Sequence, residues 1–69
     1  MQNYYSSLLL QNIQELEEAC DAFRNNLNIP QKWKDWQIKY NYSNEQSVQK
    51  ILDAISYFKK SLIYVNNKN

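Results

Sequence analysis

The sequence contains very few groups that could perform catalysis. Its 69 residues include no histidine, the usual general base near neutral pH, and no glycine, which phosphate-binding loops need. The single cysteine, Cys20, falls on the apolar stripe of a predicted acidic helix, where we expect a core residue with an unreactive thiol. We therefore predict a protein that is not an enzyme and that uses no cofactor.

Clustered acidic residues form the one candidate for a metal site. They are Glu15, Glu17, Glu18 and Asp21. Carboxylates can bind Mg²⁺ or Ca²⁺, because hard cations prefer oxygen ligands. No calcium-binding loop and no histidine accompanies the four residues, so the cluster is more typical of a solvent-exposed helix face. We expect no bound metal.

The segment 32–40 interleaves basic and aromatic residues, a pattern that can bind single-stranded nucleic acid by stacking on bases and pairing with phosphates. The candidate contacts, for a nucleic acid or for a protein partner, are Lys32, Trp33, Lys34, Trp36 and Lys39. Alternatively, the tryptophans close the core of a small helical bundle and the lysines point to water. Asp35 and the absence of arginine in this segment favour that second interpretation.

Two long stretches show the alternating spacing of three and four that places apolar side chains on one stripe of a helix. The first stripe consists of Leu9, Ile13, Leu16, Cys20, Phe23 and Leu27. The second consists of Val48, Ile51, Ile55, Phe58, Leu62 and Val65. We predict long helices over about residues 5–27 and 43–65.

Local signals mark the ends of these helices. Ser43 followed by Gln46 is a capping-box pattern, and Ser6 or Ser7 could cap the first helix. Asparagines follow the first helix, and Pro30 cannot continue it.

The segment between the long helices has two interpretations. Trp33, Trp36 and Tyr40 are spaced for one face of a short helix at about 31–40. The alternation of apolar residues over 36–42 would also fit an extended segment. We favour the helix, because no other part of the chain alternates and a lone strand would have no partner.

The predicted architecture is all-α, a single small domain over residues 1–69. Two long amphipathic helices form a hairpin with a short intervening helix, that is, a small three-helix bundle. One cysteine allows no intrachain disulfide, and so small a core commonly needs a partner subunit. We expect a homodimer whose candidate interface residues lie beside the stripe of the last helix. They are Leu52, Tyr57, Ile63 and Tyr64.

Charge is divided unevenly along the chain. Residues 1–27 carry four acids against Arg24, a net charge of −3, and residues 28–69 carry seven lysines against three acids, a net charge of +4. We therefore expect an acidic helix packed on a basic one. No segment approaches the ~18 apolar residues that span a bilayer, so we expect a cytoplasmic protein with no membrane partner. The abundance of Asn, Gln, Lys, Ile and Tyr indicates an AT-rich genome, as in a low-GC bacterium, phage or plasmid.

Two functional hypotheses follow. Aromatic and heptad surfaces without catalytic groups favour a small protein that binds another protein, as a regulator, inhibitor or adaptor. The alternative is a small nucleic-acid-binding protein that uses the segment 32–40. A salt titration separates the two hypotheses, because phosphate binding weakens steeply with salt.

Overall fold

The computed structural model describes residues 4–67, which fold into three helices and contain no strand. Helix α1 spans Tyr4–Asn25, α2 spans Gln31–Tyr40 and α3 spans Asn44–Asn67. The predicted hairpin with a short intervening helix is confirmed, and each helix begins and ends within two residues of its predicted bounds. The extended interpretation of the segment between the long helices is wrong.

The long helices α1 and α3 run antiparallel, as two hydrogen bonds between their ends show. At one end of the hairpin, the Ser6 hydroxyl donates to the side-chain oxygen of Asn66 at 2.9 Å. At the other end, the Asn44 amide donates to the side-chain oxygen of Asn26 at 3.1 Å. Ser6 was a candidate cap, but α1 begins two residues earlier, so its hydroxyl serves the contact between helices instead.

The core consists of seven buried apolar residues from the two long helices. They are Ile13, Leu16, Ala19, Cys20, Phe23, Ile51 and Ile55. The prediction that Leu27 continues the first stripe is wrong, since its side chain is 63% exposed. The reason lies in the backbone: α1 ends at Asn25, and Asn26 has φ 51°, which turns the chain away before Leu27 is reached.

Helix α2 lies beside the second half of α1 and contacts the core through two half-buried tryptophans. The Trp36 ring centroid is 6.1 Å from that of Phe23 and 5.3 Å from that of Trp33. Lys32 at the start of α2 forms a salt bridge with Glu15. No residue of α2 is fully buried, so its attachment depends mainly on these two aromatic side chains.

Asparagine occupies every left-handed backbone position in the described part of this glycine-free chain. Asn26, Asn28 and Asn41 have φ between 51° and 56°. Asparagine tolerates this region better than most residues, because its short polar side chain bonds locally. After α2, the Asn41 turn directs the Tyr42 amide to the Gln37 carbonyl at 3.0 Å, the bond that closes a Schellman motif. Asparagine thus replaces the glycine that usually ends helices.

The backbone at Asn41 yields a testable prediction. Asn41→Ala should lower the free energy of unfolding by about 1 kcal/mol, because alanine is disfavoured in the left-handed region. Asn41→Gly should be at least as stable as the wild type, because glycine adopts that region without steric cost. Urea denaturation measures both. An equal loss of stability in the two variants would show that the amide side chain of Asn41, and not its backbone conformation, stabilises this turn.

The predicted capping box at the start of α3 is confirmed in both directions. The Ser43 backbone amide donates to Gln46 Oε1 at 2.9 Å, and the Gln46 amide donates to Ser43 Oγ at 3.1 Å. One residue later, Asn44 accepts a bond from the Gln37 side chain at 2.7 Å. The start of α3 is therefore fixed against α2 as well as against the end of α1.

Two buried serines offer a matched pair of stability measurements. Ser47 is 0% exposed, and its hydroxyl has no hydrogen-bond partner among residues 4–67, whereas Ser6, also buried, bonds to Asn66. Ser47→Ala should leave the free energy of unfolding unchanged or raise it by up to about 1 kcal/mol, because it removes an unsatisfied polar group. Ser6→Ala should lower it by about 1 kcal/mol. Thermal melts that show the opposite order would contradict this assignment.

Candidate interaction surface

The five candidates of the segment 32–40 do not form one surface. Trp33 and Trp36 pack against the core, as the bundle interpretation predicts. Lys32 is bound to Glu15, and its ammonium lies 5.9 Å from the centroid of the Trp33 ring. Lys34 is exposed and belongs to none of these contacts.

Lys39, the fifth candidate, belongs instead to an aromatic cluster at the junction of α2 and α3. Tyr40 and Tyr42 stack with their ring centroids 5.5 Å apart and an interplanar angle of 17°. Lys39 lies 5.5 Å from the Tyr40 ring, and Lys50 lies 5.7 Å from the Tyr42 ring. Sequence analysis missed Lys50 because it comes from α3, beyond the basic segment. The fold therefore brings two lysines to one pair of stacked tyrosines.

Two acidic residues of α1 pair with lysines of the other helices. Besides the Glu15–Lys32 salt bridge, Glu17 lies 3.9 Å from Lys59 of α3. Both pairs join an acidic α1 to a basic neighbour, in keeping with the predicted division of charge. Within residues 4–67, no three Asp, Glu, Cys or His side chains converge to hold a metal ion, and Cys20 is buried in the core.

The four candidate interface residues of α3 divide between two flanks of the helix. Leu52 and Ile63 are eleven residues apart, about three turns, and share one flank. Leu52 is half-buried there and lines a depression together with Lys59, while Ile63 is 60% exposed. Tyr57 and Tyr64 are 68% and 64% exposed and lie on the other flank. The two tyrosines therefore share a surface that Leu52 and Ile63 do not.

A surface without charge stands out at the end of the hairpin that α2 does not cover. Residues 4–14 and 61–67 include no Asp, Glu, Lys or Arg, and every charge in the described part of the chain falls between Glu15 and Lys60. The antiparallel pairing and the bond from Ser6 to Asn66 bring the two segments together. We call this surface the uncharged end. Along the chain, the next charge is Lys68, outside the described residues.

The uncharged end exposes six large apolar side chains. They are Tyr4 at 72%, Tyr5 at 66%, Leu8 at 37%, Leu10 at 42%, Ile63 at 60% and Tyr64 at 64%. Single exposed apolar side chains are common on monomeric proteins, but contiguous apolar patches of more than a few hundred Å² are rare. Enrichment in tyrosine and depletion of charge are also the features that distinguish the centre of protein interfaces from other surfaces. The composition of this end is therefore that of a binding surface.

Helix α2 is long enough to cover only about half of the groove between the long helices on its side. Its ten residues extend about 15 Å, against about 33 Å for the 22 residues of α1. Glu15, which binds Lys32, is preceded at spacings of three and four by Asn12, Leu8 and Tyr5, so the same stripe continues beyond α2. Where α2 begins, a cavity of about 200 Å³ opens between Asn12 and Trp33.

We call the remaining half of this groove, within the uncharged end, the open groove. By helical spacing, we place it between Tyr5 and Leu8 of α1 and Leu62 and Val65 of α3. Leu62 and Val65 are half-buried, whereas Tyr5 and Leu8 are exposed. The open groove is about as long as α2 itself, since residues 4–14 extend about 17 Å.

None of the helices within residues 4–67 combines the length and the hydropathy that crossing a membrane requires. Comparison with protein-family models, with curated proteins and with solved structures finds no significant match to the chain.

Proposed function

We propose that this protein acts by binding another protein chain through its uncharged end. The observation that carries the proposal is the concentration of six exposed apolar side chains in the two segments that have no charged residue. Burying apolar area is favourable by about 25 cal/mol per Å², and residues 4–14 and 61–67 carry no charge that would lose its hydration on binding. A protein of this kind acts by occupying a surface of its partner, as a regulator, inhibitor or adaptor does.

The chemistry of the uncharged end favours a protein partner over a nucleic acid or a membrane surface. Nucleic acids are bound largely through phosphates, which need Lys or Arg, and residues 4–14 and 61–67 have neither. Helices that bind membrane surfaces combine an apolar face with basic residues that attract anionic lipids. The uncharged end offers apolar and polar uncharged groups only, which match the apolar centre of a protein interface.

Affinity capture from a lysate of the source cell tests the proposal. The wild type is compared with Leu8→Lys and Ile63→Lys, which place a charge within the uncharged end, and with Ile38→Lys, which places the same charge on α2. Ile38 is a suitable control because it is 73% exposed and lies outside the uncharged end. A protein retained by the wild type and by Ile38→Lys, and lost from one or both of the other variants, supports the proposal. Equal retention by all four forms would contradict it.

A second candidate function is supported by the cluster at the junction of α2 and α3. Lys39 and Lys50 flank the stacked rings of Tyr40 and Tyr42, so ammonium groups and exposed aromatic surface lie together. This arrangement could bind a single-stranded nucleic acid. If it does, an oligonucleotide should bind less tightly to Lys50→Glu, and its affinity should fall steeply as salt rises. Lys60→Glu, on another part of α3, serves as the control.

A further inference from the structure

We infer that the protein bound at the uncharged end is a second copy of this chain, packed about a two-fold axis with the open grooves of the two copies facing each other. This inference rests on the proposed function and names its partner. It places the shared surface on the α2 side of the hairpin, at Tyr5 and Leu8 and at the neighbouring Leu62 and Val65, with Tyr64 at its edge.

The charge distribution favours a surface that meets itself. In a two-fold interface the same patch contributes from both subunits, so a charged residue near the axis faces its own copy. Like charges brought together in an interface are strongly unfavourable. Residues 4–14 and 61–67 avoid this repulsion completely, whereas the rest of the described chain carries all of its charges. The uncharged end is thus the part of the described surface best suited to self-association.

The packing of α2 on α1 indicates what kind of helix pair the open groove can bind. In the covered half, α2 lies on α1 and contributes two aromatic side chains three residues apart, Trp33 and Trp36. In the open half, a second copy would contribute its own long helices with Tyr5 and Leu8, also three residues apart. Two antiparallel helix pairs packed in this way form a four-helix bundle in the region of overlap. Each α2 would remain in place beyond the overlap.

The exposed apolar area supplies a large part of what a specific dimer needs. The large apolar side chains on the α2 side of the uncharged end are Tyr4, Tyr5, Leu8 and Tyr64, which are 37–72% exposed and together present on the order of 500 Å² per copy. A standard interface buries about 800 Å² per partner, polar neighbours included. Leu62, Val65 and Asn12 can supply part of the difference.

Sedimentation equilibrium of the full chain from about 10 µM to about 500 µM tests the inference by mass action. We expect the wild-type mass to rise from 8.4 kDa toward twice that value. Leu8→Lys should raise the dimer dissociation constant at least about tenfold, because a buried ammonium costs more than the ~1.4 kcal/mol that tenfold represents. Ile38→Lys should behave as the wild type. Circular dichroism of each variant verifies that the helices remain folded.

Crosslinking provides a second measurement that does not depend on a destabilising charge. The native Cys20 is buried, so an introduced surface cysteine is the reactive one. Near a two-fold axis, Leu8→Cys should form a disulfide-linked dimer under mild oxidation much faster than Ile38→Cys does. Equal rates would overturn the placement of the axis.

The possible outcomes separate this inference from the proposed function. A wild type that stays at 8.4 kDa at every concentration, yet loses a captured protein when Leu8 becomes Lys, overturns the homodimer and leaves the proposed function standing. A dimer whose mass distribution is unchanged by Leu8→Lys overturns the assignment of the open groove. A dimer that weakens with Leu8→Lys and crosslinks through Leu8→Cys supports the inference.

Discussion

Phe23→Ala should leave much of the protein unfolded near physiological temperature. Phe23 is 1% exposed and packs against Trp36, so the substitution opens a cavity in the centre of the core. Truncations of this kind cost about 3–5 kcal/mol. The whole stability expected for a domain of this length is about 3–10 kcal/mol, at 0.05–0.15 kcal/mol per residue. One side chain therefore accounts for a large fraction of the stability.

Thermal denaturation followed by circular dichroism measures the effect of Phe23→Ala. The matched control is Ile38→Ala, since Ile38 is 73% exposed and its truncation should change the free energy of unfolding by no more than about 0.5 kcal/mol. The two variants should thus separate widely in melting temperature. A Phe23→Ala protein that melts within a few degrees of the wild type would contradict the assignment of Phe23 to the core.

Trp36→Ala should detach α2 while the pairing of α1 with α3 persists. Trp36 contacts the rings of Phe23, Trp33, Tyr40 and Tyr42. Because α2 has no fully buried residue, these ring contacts are central to its attachment. We expect a loss of about 3 kcal/mol, at the lower end of values for large aromatic residues because Trp36 is only half-buried.

Amide hydrogen exchange distinguishes local detachment of α2 from a general loss of stability. In Trp36→Ala, exchange should accelerate much more in α2 than in the centres of α1 and α3, because elements with few buried contacts open separately. Trp33→Ala is the matched control and should have a smaller effect, since Trp33 has fewer aromatic neighbours. Equal acceleration in all three helices would show that α2 does not open as a unit.

The helices could be predicted from the sequence because the signals that define them are local. Apolar spacing identified both long helices, and the capping box at Ser43 formed as its pattern indicated. The burial of individual residues depended on tertiary contacts and was harder to predict. Ala19, on the flank of the predicted stripe, is 1% exposed, whereas Leu27, assigned to the stripe itself, is 63% exposed. Apolar spacing carries no information on which side of α1 the short helix packs, or on the residue at which the backbone leaves the helix.

The uncharged end could be found only when the pairing of the long helices was known. Each of its two segments is unremarkable alone, since short runs without charge are common in polar sequences. They lie more than 45 residues apart in the chain, and antiparallel packing makes them one surface. Of the four interface candidates, Ile63 and Tyr64 fall within the two segments of the uncharged end, on opposite flanks of α3. Tyr57 lies on the same flank as Tyr64 but nearer the charged residues, and Leu52 packs against the core.

Methyl NMR spectra of the wild-type chain in a dilution series test most directly whether the uncharged end is the surface of association. Between about 1 mM and about 10 µM, mass action should move the dimer toward the monomer. We expect concentration-dependent shifts at Leu8, Leu62 and Val65, and unchanged signals from Val48 and Ile51 at the other end of the hairpin. Shifts confined to Val48 and Ile51, or no shift at any methyl group across this range, would contradict the account.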